Sequence, residues 1–353
     1  MGRQIRVLVV GCGHMGSSHA RSYRKMEEFE IVGLVSRGPE SRGELSRLLG
    51  GLPGFDSFDK ALEETEPDAV SINTFPDTHA DYAIKSLESG AHVFVEKPIA
   101  RDVSRAKAVA DTAGRTGKKV VVGYILRHHP SWERFVEIGR TLGKPLVMRM
   151  NLNQQSSGES WSGHKNLMKS LSPIVDCGVH YVDVMCQVSR AKPVRVHAIG
   201  ARLTDEIDHD MYNYGQLQVV FDDGSVGWYE SGWGPMISET AFFVKDIVGP
   251  KGCVSIISPE SGSSDLQTHT RANRIRIHHS ELAKDGSFDR EDEIIDMSDE
   301  PDHQELCDRE QRFFLKSIEE DLDLTAHLDD AVNSLRIVEA ADRSFRTAQV
   351  VDL

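Results

Sequence analysis

The chain has no long apolar segment and few cysteines. None of its 353 residues lies in an apolar stretch long enough to cross a bilayer. The apolar run Ile5–Val10 passes at once into a glycine-rich turn, unlike a signal peptide. Its five cysteines are scattered, odd in number and form no Cys-x-x-Cys pair. Their pattern excludes an obvious zinc ribbon and fits a reducing compartment, so we expect a cytoplasmic protein without a membrane partner.

The chain also lacks an excess of positive charge. Its formal net charge of -14 argues against nucleic acid and anionic membranes as main partners, because an acidic surface repels phosphates. A local basic patch can still bind a single phosphate group. Hydrophobic residues make up 39% and charged residues 27%, an ordinary globular balance, and no internal repeat is visible. The length is suited to two domains.

The first 124 residues alternate short β-rich runs with amphipathic helical patterns, which is typical of a parallel sheet covered by helices. The predicted strands are Ile5–Val10, Ile31–Val35, Ala69–Asn73, His92–Glu96 and Val120–Tyr124. The predicted helices lie near Met15–Met26, Ser41–Leu49, Thr78–Ser89 and Val103–Thr116. Gly50, Gly90 and Gly117 stand where a glycine ends a helix in the left-handed conformation.

The pattern changes after Tyr124. A helix from Ser131 to about Leu142, a strand from Leu146 and a polar loop over 156–166 precede a helix with Ser172 as its N-cap and Pro173 in its first turn. Alternating runs predict strands at Val194–Leu203, Tyr212–Phe221, Val226–Ser231 and Ala241–Val248, with a hairpin turn at Asp223-Gly224. Two closing helices are predicted near Glu305–Glu319 and His327–Ala348. We therefore predict a domain at 1–124 and an α+β domain at 125–353, with a large, mostly antiparallel open sheet.

A glycine-rich motif follows the first strand. Gly11-Cys12-Gly13-His14-Met15-Gly16 is a G-x-G-x-x-G that opens a helix inside a βαβ unit, the context that gives this motif its meaning. Gly11 permits the tight turn, Gly13 lets the backbone approach a pyrophosphate, and Gly16 lets helix pack on strand. The phosphates then lie at the positive end of the helix. The motif predicts a Rossmann fold that binds a dinucleotide, with His14 and Met15 among its contacts.

The end of the second strand predicts which dinucleotide is preferred. A site for NAD usually has an acidic residue there, bonded to the ribose 2′-hydroxyl. This chain has Ser36-Arg37, with Arg42 close behind. Because a hydroxyl and a guanidinium favour a 2′-phosphate, we expect NADP(H) to be favoured. The alternative is that Arg37 is a solvated loop charge and NAD(H) is accepted as well.

Three side chains are candidates for chemistry. Lys97 lies in Glu96-Lys97-Pro98, at the carboxyl end of a central strand, where open α/β sheets place their ligands. Asp176 and His180 are four residues apart, a spacing that puts both on one face of a helix. A solvated lysine, a surface ion pair and a core histidine are the plainer alternatives. No further ligands accompany Asp176 and His180, so no metal site is predicted.

Together, G-x-G-x-x-G, E-K-P and the D-x-G-x-H-x-x-D of Asp176 to Asp183 resemble one family, the glucose–fructose oxidoreductase/inositol dehydrogenase (Gfo/Idh/MocA) family. The turn from Thr74 to His79 and the Gly123-Tyr124 pair with Arg127 and Pro130 are also similar to that family. Phe75 before Pro76, and Ser36-Arg37 in place of the common acid, depart from its pattern. The resemblance implies cofactor contacts at Thr74, His79, Glu96 and Lys97, and a cis Lys97–Pro98 bond. It also implies a homodimer or homotetramer paired through the open face of the second sheet.

The resemblance implies hydride transfer between nicotinamide and the hydroxyl- or carbonyl-bearing carbon of a sugar or cyclic polyol. A secondary alcohol loses hydride easily only as its proton leaves, which requires a base, and histidine suits this role near pH 7. Lys97 as a cation would stabilise the developing alkoxide, and Asp176 could orient His180 or bind a neighbouring hydroxyl. Whether Lys97 or His180 takes the proton stays open. Further candidate substrate contacts are His79, Tyr124, Arg127, Trp161 and His164, whereas Trp228 and Trp233 are assigned to packing.

Two other functions would use the same motifs. A sugar hydrolase or epimerase can oxidise its substrate transiently and keep the cofactor bound. A non-catalytic dinucleotide-binding regulator can share the fold, although it has no reason to retain Lys97, Asp176 and His180 together. The sequence also predicts that Lys97 from one domain and His180 from the other line a common cleft.

Overall fold

The computed structural model describes residues 3–238, 244–257, 272 and 274–353. The chain forms two compact units, Met1–Ile125 with Asp302–Val332, and Leu126–Pro301 with Asn333–Leu353. This division differs from the predicted domains, because the segment 302–332 belongs to the first unit and not to the second. The reason is apolar packing: Phe314, Leu315 and Leu324 are buried in the core of the first unit. No helix in the described part of the chain is long and apolar enough to span a membrane.

The first unit is a parallel six-stranded sheet with helices between its strands. Its strands are β1 (Ile5–Val10), β2 (Phe29–Val35), β3 (Gly54–Phe55), β4 (Ala69–Ile72), β5 (His92–Glu96) and β6 (Val120–Gly123), in the order β3-β2-β1-β4-β5-β6. Its helices are α1 (His14–Lys25), α2 (Pro39–Leu48), α3 (Phe58–Thr65), α4 (Pro76–Glu88) and α5 (Val103–Thr116). This confirms the predicted Rossmann fold. The short elements β3 and α3 were not predicted.

Three helices of the first unit end at the glycines that the sequence indicated. Gly50, Gly90 and Gly117 have φ angles of +95°, +94° and +67°, the left-handed region that glycine adopts without a steric cost. The central strands β1 and β4 are buried along most of their length, because helices cover both faces of a parallel sheet. Their carboxyl ends therefore carry the residues that a ligand can reach.

The second unit is built on a nine-stranded sheet. Its strands are β7 (Val147–Gln155), β8 (Pro193–Ala201), β9 (Tyr214–Phe221), β10 (Val226–Gly234), β11 (Lys245–Gly249), β12 (Gly252–Ile257), β13 (Arg274–His279), β14 (Glu293–Asp296) and β15 (Val351–Asp352). The order is β14-β13-β12-β11-β7-β10-β9-β8-β15, and among the described strands of this second sheet β7 and β10 are the parallel pair. Its helices are α6 (Pro130–Gly139), α7 (Gly158–Leu167), α8 (Pro173–Asp176) and α9 (Gly178–Ser189). Two closing helices, α10 (His303–Glu319) and α11 (Thr325–Thr347), complete the chain, α10 in the first unit and α11 divided between the two.

The mostly antiparallel sheet is as predicted, including the hairpin at Asp223-Gly224, where Gly224 has a φ of +83°. The predicted polar loop over 156–166 is wrong, because α7 forms there. A reciprocal capping box between Ser157 and Ser160 satisfies the first backbone N–H groups of that helix. The predicted strand Ala241–Val248 begins in the structure at Lys245, and residues 241–243 lie outside the described part. Strands β12 to β14 were not predicted.

The helix predicted to start at Ser172 is interrupted. Ser172 caps it as expected, accepting a hydrogen bond from the Val175 N–H, with Pro173 in the first turn. The helix then breaks at Cys177, so Asp176 ends α8 and His180 lies in the first turn of α9. The two side chains therefore come from two successive helices and not from a single one.

Candidate active site

The turn between β1 and α1 is shaped by its three glycines. Gly11 has a φ of +97°, and a Cβ atom there would lie 2.4 Å from the Asn73 carbonyl oxygen. A Cβ on Gly16 would lie 1.9 Å from the carbonyl oxygen of Gly11. A Cβ on Gly13 would meet no described atom within 4 Å. Gly11 and Gly16 are therefore required by the protein itself, whereas Gly13 leaves open space in front of the α1 N-terminus.

That open space is accessible to a pyrophosphate. The backbone N–H groups of the first turn of α1 have no helical partner, and the helix dipole favours an anion there. Gly13 and His14 are exposed and Met15 is half-buried, so all three are accessible to a ligand. The His14 ring stacks on His303, the first residue of α10, with ring centroids 5.6 Å apart. The residues present thus suit the dinucleotide that the motif predicts.

Ser36 and Arg37 follow directly after β2. Ser36 is half-buried and its Oγ accepts a hydrogen bond of 3.3 Å from the Gly38 N–H, whereas Arg37 is exposed. Arg42 donates to the carbonyl oxygens of Ser36 and Phe55 and is thereby held against the backbone. Of the two arginines, Arg37 is the more exposed.

Lys97 stands at the carboxyl end of β5, half-buried, and its peptide bond to Pro98 is cis, as predicted. Glu96 is buried behind it. One Glu96 oxygen, Oε2, accepts a 3.2 Å hydrogen bond from the Lys97 N–H, and the other, Oε1, lies 2.8 Å from Nε2 of His19. Burial raises the pKa of Glu96, but the hydrogen bond and charge of His19 outweigh it and hold the pKa below its ordinary value. Glu96 therefore orients the backbone that carries Lys97.

His79 is fully buried beside this turn. Its Nδ1 lies 2.8 Å from the Pro98 carbonyl oxygen and its Nε2 lies 2.9 Å from that of Thr74. Burial lowers the pKa of His79, although both carbonyls oppose this effect by favouring an N–H on each nitrogen. With a carbonyl oxygen within hydrogen-bond distance of each ring nitrogen, His79 joins two turns at the carboxyl edge of the sheet. Thr74 is half-buried, with its Oγ1 2.6 Å from Oγ1 of Thr78.

In the second unit, Asp176 and His180 are both half-buried at the junction of α8 and α9. Near Asp176 lies a cluster around His164, which is 7% exposed. Burial lowers the pKa of His164 to about 4, and the charge of Asp176 partly opposes that shift. The structure therefore brings together two of the side chains that the sequence singled out separately.

Two further residues belong to this cluster, and the sequence singled out neither as a site residue. Trp233, assigned there to packing, is fully buried and stacks on His164, and its Nε1 donates a 2.7 Å hydrogen bond to Oε1 of Gln154. The same Gln154 oxygen accepts from Sγ of Cys177 at 3.5 Å. Gln154 and Trp233 are direct partners across the β7–β10 pair, a register that the sequence alone does not reveal.

The remaining predicted substrate residues are held in other contacts. Tyr124 is fully buried and packs against His327. Arg127 binds Asp183 through two hydrogen bonds, of 2.9 Å from Nε and 2.5 Å from Nη2. Nε1 of Trp161 donates to Glu206 at 3.2 Å. Asp183, the last acid of the D-x-G-x-H-x-x-D pattern, thus fixes an arginine.

Comparison with known proteins agrees with both halves of the chain. Residues 5–124 match the Gfo/Idh/MocA oxidoreductase family with its NAD-binding Rossmann fold, and residues 138–252 match the Gfo/Idh/MocA C-terminal domain. The chain belongs to the Gfo/Idh/MocA family. It is therefore an oxidoreductase whose first unit is an NAD-binding Rossmann fold.

Several relatives match along nearly the whole chain. One is the scyllo-inositol 2-dehydrogenase (NAD(+)) of Bacillus subtilis, 26% identical over 100% of this chain and 97% of that protein. Another is the inositol 2-dehydrogenase of Rhizobium meliloti, 22% identical over 99% of both chains. Among solved structures, UDP-N-acetylglucosamine 3-dehydrogenase from Acidithiobacillus ferrooxidans has a TM-score of 0.76 at 20% identity, covering 98% of this chain and 99% of the other. That structural likeness shows the fold.

Proposed function

We propose that this oxidoreductase transfers a hydride between nicotinamide and the hydroxyl- or carbonyl-bearing carbon of a sugar or cyclic polyol. The observation that carries the proposal is the glycine turn, where Gly13 leaves space for a pyrophosphate at the start of α1. The substrate class is supported by the names of the relatives, several of which are dehydrogenases of inositols and glucosides.

We propose that the preferred cofactor is NADP(H), with NAD(H) accepted less well. Support comes from Arg37, which is exposed at the end of β2 beside the hydroxyl of Ser36. A guanidinium binds a 2′-phosphate through charge-assisted hydrogen bonds, and no carboxylate occupies the position that would repel it. Glu40, in the first turn of α2, is the nearest acid along the chain and would weaken this preference.

In the proposed chemistry, bound nicotinamide supplies or accepts the hydride. His180 takes the hydroxyl proton as general base, since an imidazole titrates near neutral pH. Lys97, as a cation, stabilises the alkoxide that forms as this proton leaves. Asp176 binds a neighbouring hydroxyl or keeps His180 oriented. His164, held neutral by burial, is a hydrogen-bonding group for the substrate and not an acid or a base.

A substrate screen tests this function. The protein is incubated with polyols, aldoses and keto-sugars, with each of NADP⁺, NADPH, NAD⁺ and NADH, and absorbance of the reduced nicotinamide is compared with product formed. We expect a change in absorbance stoichiometric with product. Product without such a change would indicate an epimerase or hydrolase that recycles its cofactor. Cofactor binding without product across the panel would indicate a regulator, and either result contradicts the proposal.

We also propose that the protein is a homo-oligomer paired through its second sheet. Val147, Val226 and Val220 lie side by side on β7, β10 and β9 and are 42%, 37% and 36% exposed. An exposed apolar row on adjacent strands is suited to burial against a second copy. Light scattering should give a dimer or larger for the wild type and a smaller species for Val226→Glu. A monomeric wild type contradicts this part of the proposal.

A further inference from the structure

A buried cluster of ligand-type side chains lies inside the first unit, behind Glu96. It consists of His19 on α1 and of Cys307 and Glu310 on α10, which are 0%, 0% and 1% exposed. One nitrogen, one sulfur and one oxygen of the three all lie within 4.8 Å of one another. Cys307 and Glu310 are three residues apart on their helix, so they share one face.

Glu310 is the unusual member. Neither of its carboxyl oxygens has a hydrogen-bond partner among the described residues. Burial and the charge of Glu96 raise the pKa of Glu310 well above its ordinary value. A buried carboxyl without partners, charged or neutral, is costly, and buried polar groups in native proteins are almost always satisfied. A cation bound by these oxygens would satisfy them.

We propose that His19, Cys307 and Glu310 bind a divalent transition metal ion of the zinc class. Imidazole nitrogen, thiolate sulfur and carboxylate oxygen are the donors that zinc takes in proteins. The ion's two positive charges neutralise the thiolate and the carboxylate. Glu96 is in position to supply a fourth ligand, since its Oε1 lies 2.8 Å from Nε2 of His19.

The surrounding hydrogen bonds suit such a site. Nδ1 of His19 lies 2.9 Å from Nε2 of Gln311, and the Tyr23 hydroxyl lies 2.5 Å from Oε1 of the same amide. Exchanging the amide N and O leaves the heavy atoms in place and lets Nδ1–H donate to Gln311, which frees Nε2 of His19 for the metal. Nε2 of His303 lies 3.7 Å from Sγ of Cys307 and can donate to the thiolate.

The ion would have a structural role. It would join α1, the first Rossmann helix, to α10, which returns to this unit from the far end of the sequence. Binding releases the protons of the Cys307 thiol and of the Glu310 carboxyl to solvent, because the thiolate and the carboxylate are the ligands. The sequence predicts no metal site, since these ligands lie at opposite ends of the chain with no recognisable spacing.

Metal content tests the proposal. The protein is produced in zinc-supplemented medium, dialysed against EDTA to remove surface ions, and analysed by mass spectrometry for bound metals. We expect about one zinc per chain, as in a closed structural site. Glu310→Gln and Cys307→Ala should lose it, while Cys186→Ala, a buried cysteine in the second unit, should keep it. Protein produced with Co²⁺ should show a thiolate-to-metal charge-transfer band that Cys307→Ala abolishes.

The proposal is overturned if the wild-type protein contains no stoichiometric metal. This measurement on the wild type tests the proposal even if the variants fail to fold. Metal retained in both Glu310→Gln and Cys307→Ala overturns it as well. If the wild type contains no metal and Glu310→Gln leaves the melting temperature unchanged or raises it, Glu310 is a neutral buried acid instead. None of these measurements uses turnover, so the outcome is independent of the proposed dehydrogenase activity.

Discussion

The imidazole of His164 lies flat against the indole of Trp233, with ring centroids 4.4 Å apart and the planes 6° from parallel. Nδ1 of His164 is 3.0 Å from the hydroxyl of Ser156. Trp233 therefore holds one face of the ring, and Ser156 holds one edge. Burial lowers its pKa to about 4, which keeps the ring neutral near pH 7. We therefore expect His164 to act as a fixed neutral group, in contrast to His180, the candidate base.

His164→Phe should raise KM and leave the pH profile of kcat unchanged. Phenylalanine retains the stack on Trp233 but removes the polar edge, and one neutral hydrogen bond is worth about 0.5–1.5 kcal/mol, or roughly 2- to 13-fold. A group with a pKa of about 4 is unprotonated throughout the neutral range and contributes no titration there. Initial rates from pH 5 to 9 check both points, with the exposed His209→Phe as control. If His164→Phe shifted the apparent pKa that governs kcat near neutral pH, His164 would take part in proton transfer.

Gly13→Ala should abolish cofactor binding without unfolding the protein. The added Cβ meets no described atom but fills the space assigned to the pyrophosphate. Gly16→Ala should instead destabilise the fold by about 1–3 kcal/mol or more, because its Cβ would overlap the Gly11 carbonyl oxygen. Thermal unfolding and fluorescence titration with NADPH separate the two effects, with Gly114→Ala, in the open on α5, as control. Normal NADPH affinity in Gly13→Ala would place the phosphates elsewhere.

Arg37→Ala should weaken NADPH binding selectively. Loss of one charge-assisted contact with the 2′-phosphate costs about 1.5–3 kcal/mol, roughly 10- to 150-fold, and NADH has no such phosphate to lose. Parallel titrations of both cofactors measure the difference. Tighter binding of NADH than of NADPH by the wild type would refute the preference. An unaffected Arg37→Ala would leave Ser36 as the recognising group, because Arg42 is bound to backbone carbonyls.

Lys97→Ala and His180→Ala should each lose about 10²–10⁴ in kcat, the usual contribution of a positioned acid or base. Both should still bind NADPH, since neither belongs to the glycine turn. Asp176→Ala should fall between these variants and the wild type. Oxidation should accelerate as pH rises through the pKa of the base, because only its unprotonated form accepts the substrate proton. If His180→Ala kept near-normal kcat/KM, Lys97 would be the remaining candidate base, and Lys97→Ala would have to abolish the pH dependence.

Local patterns in the sequence were sufficient for most of the first unit and for part of the second. The strand before Gly11, the glycines that end three helices and the hairpin at Asp223-Gly224 each depend on a few neighbouring residues, and each was predicted correctly. The loop over 156–166 was predicted wrongly because α7 is stabilised by its capping box and not by a strong apolar periodicity. A polar composition gave no signal for a helix there.

What the sequence determined by itself is the chemistry that one turn or one motif can encode: a Rossmann phosphate turn at Gly11 to Gly16, a lysine ending a buried strand, and an acid and a histidine near a helix start. What only the tertiary structure decided is which distant residues meet. It placed Trp233 on His164, Arg127 on Asp183, and Glu310 beside His19. The physical reason is that backbone turns and helix ends are set by local sterics, whereas these contacts arise from burial of apolar surface across whole units, which no short stretch of sequence specifies.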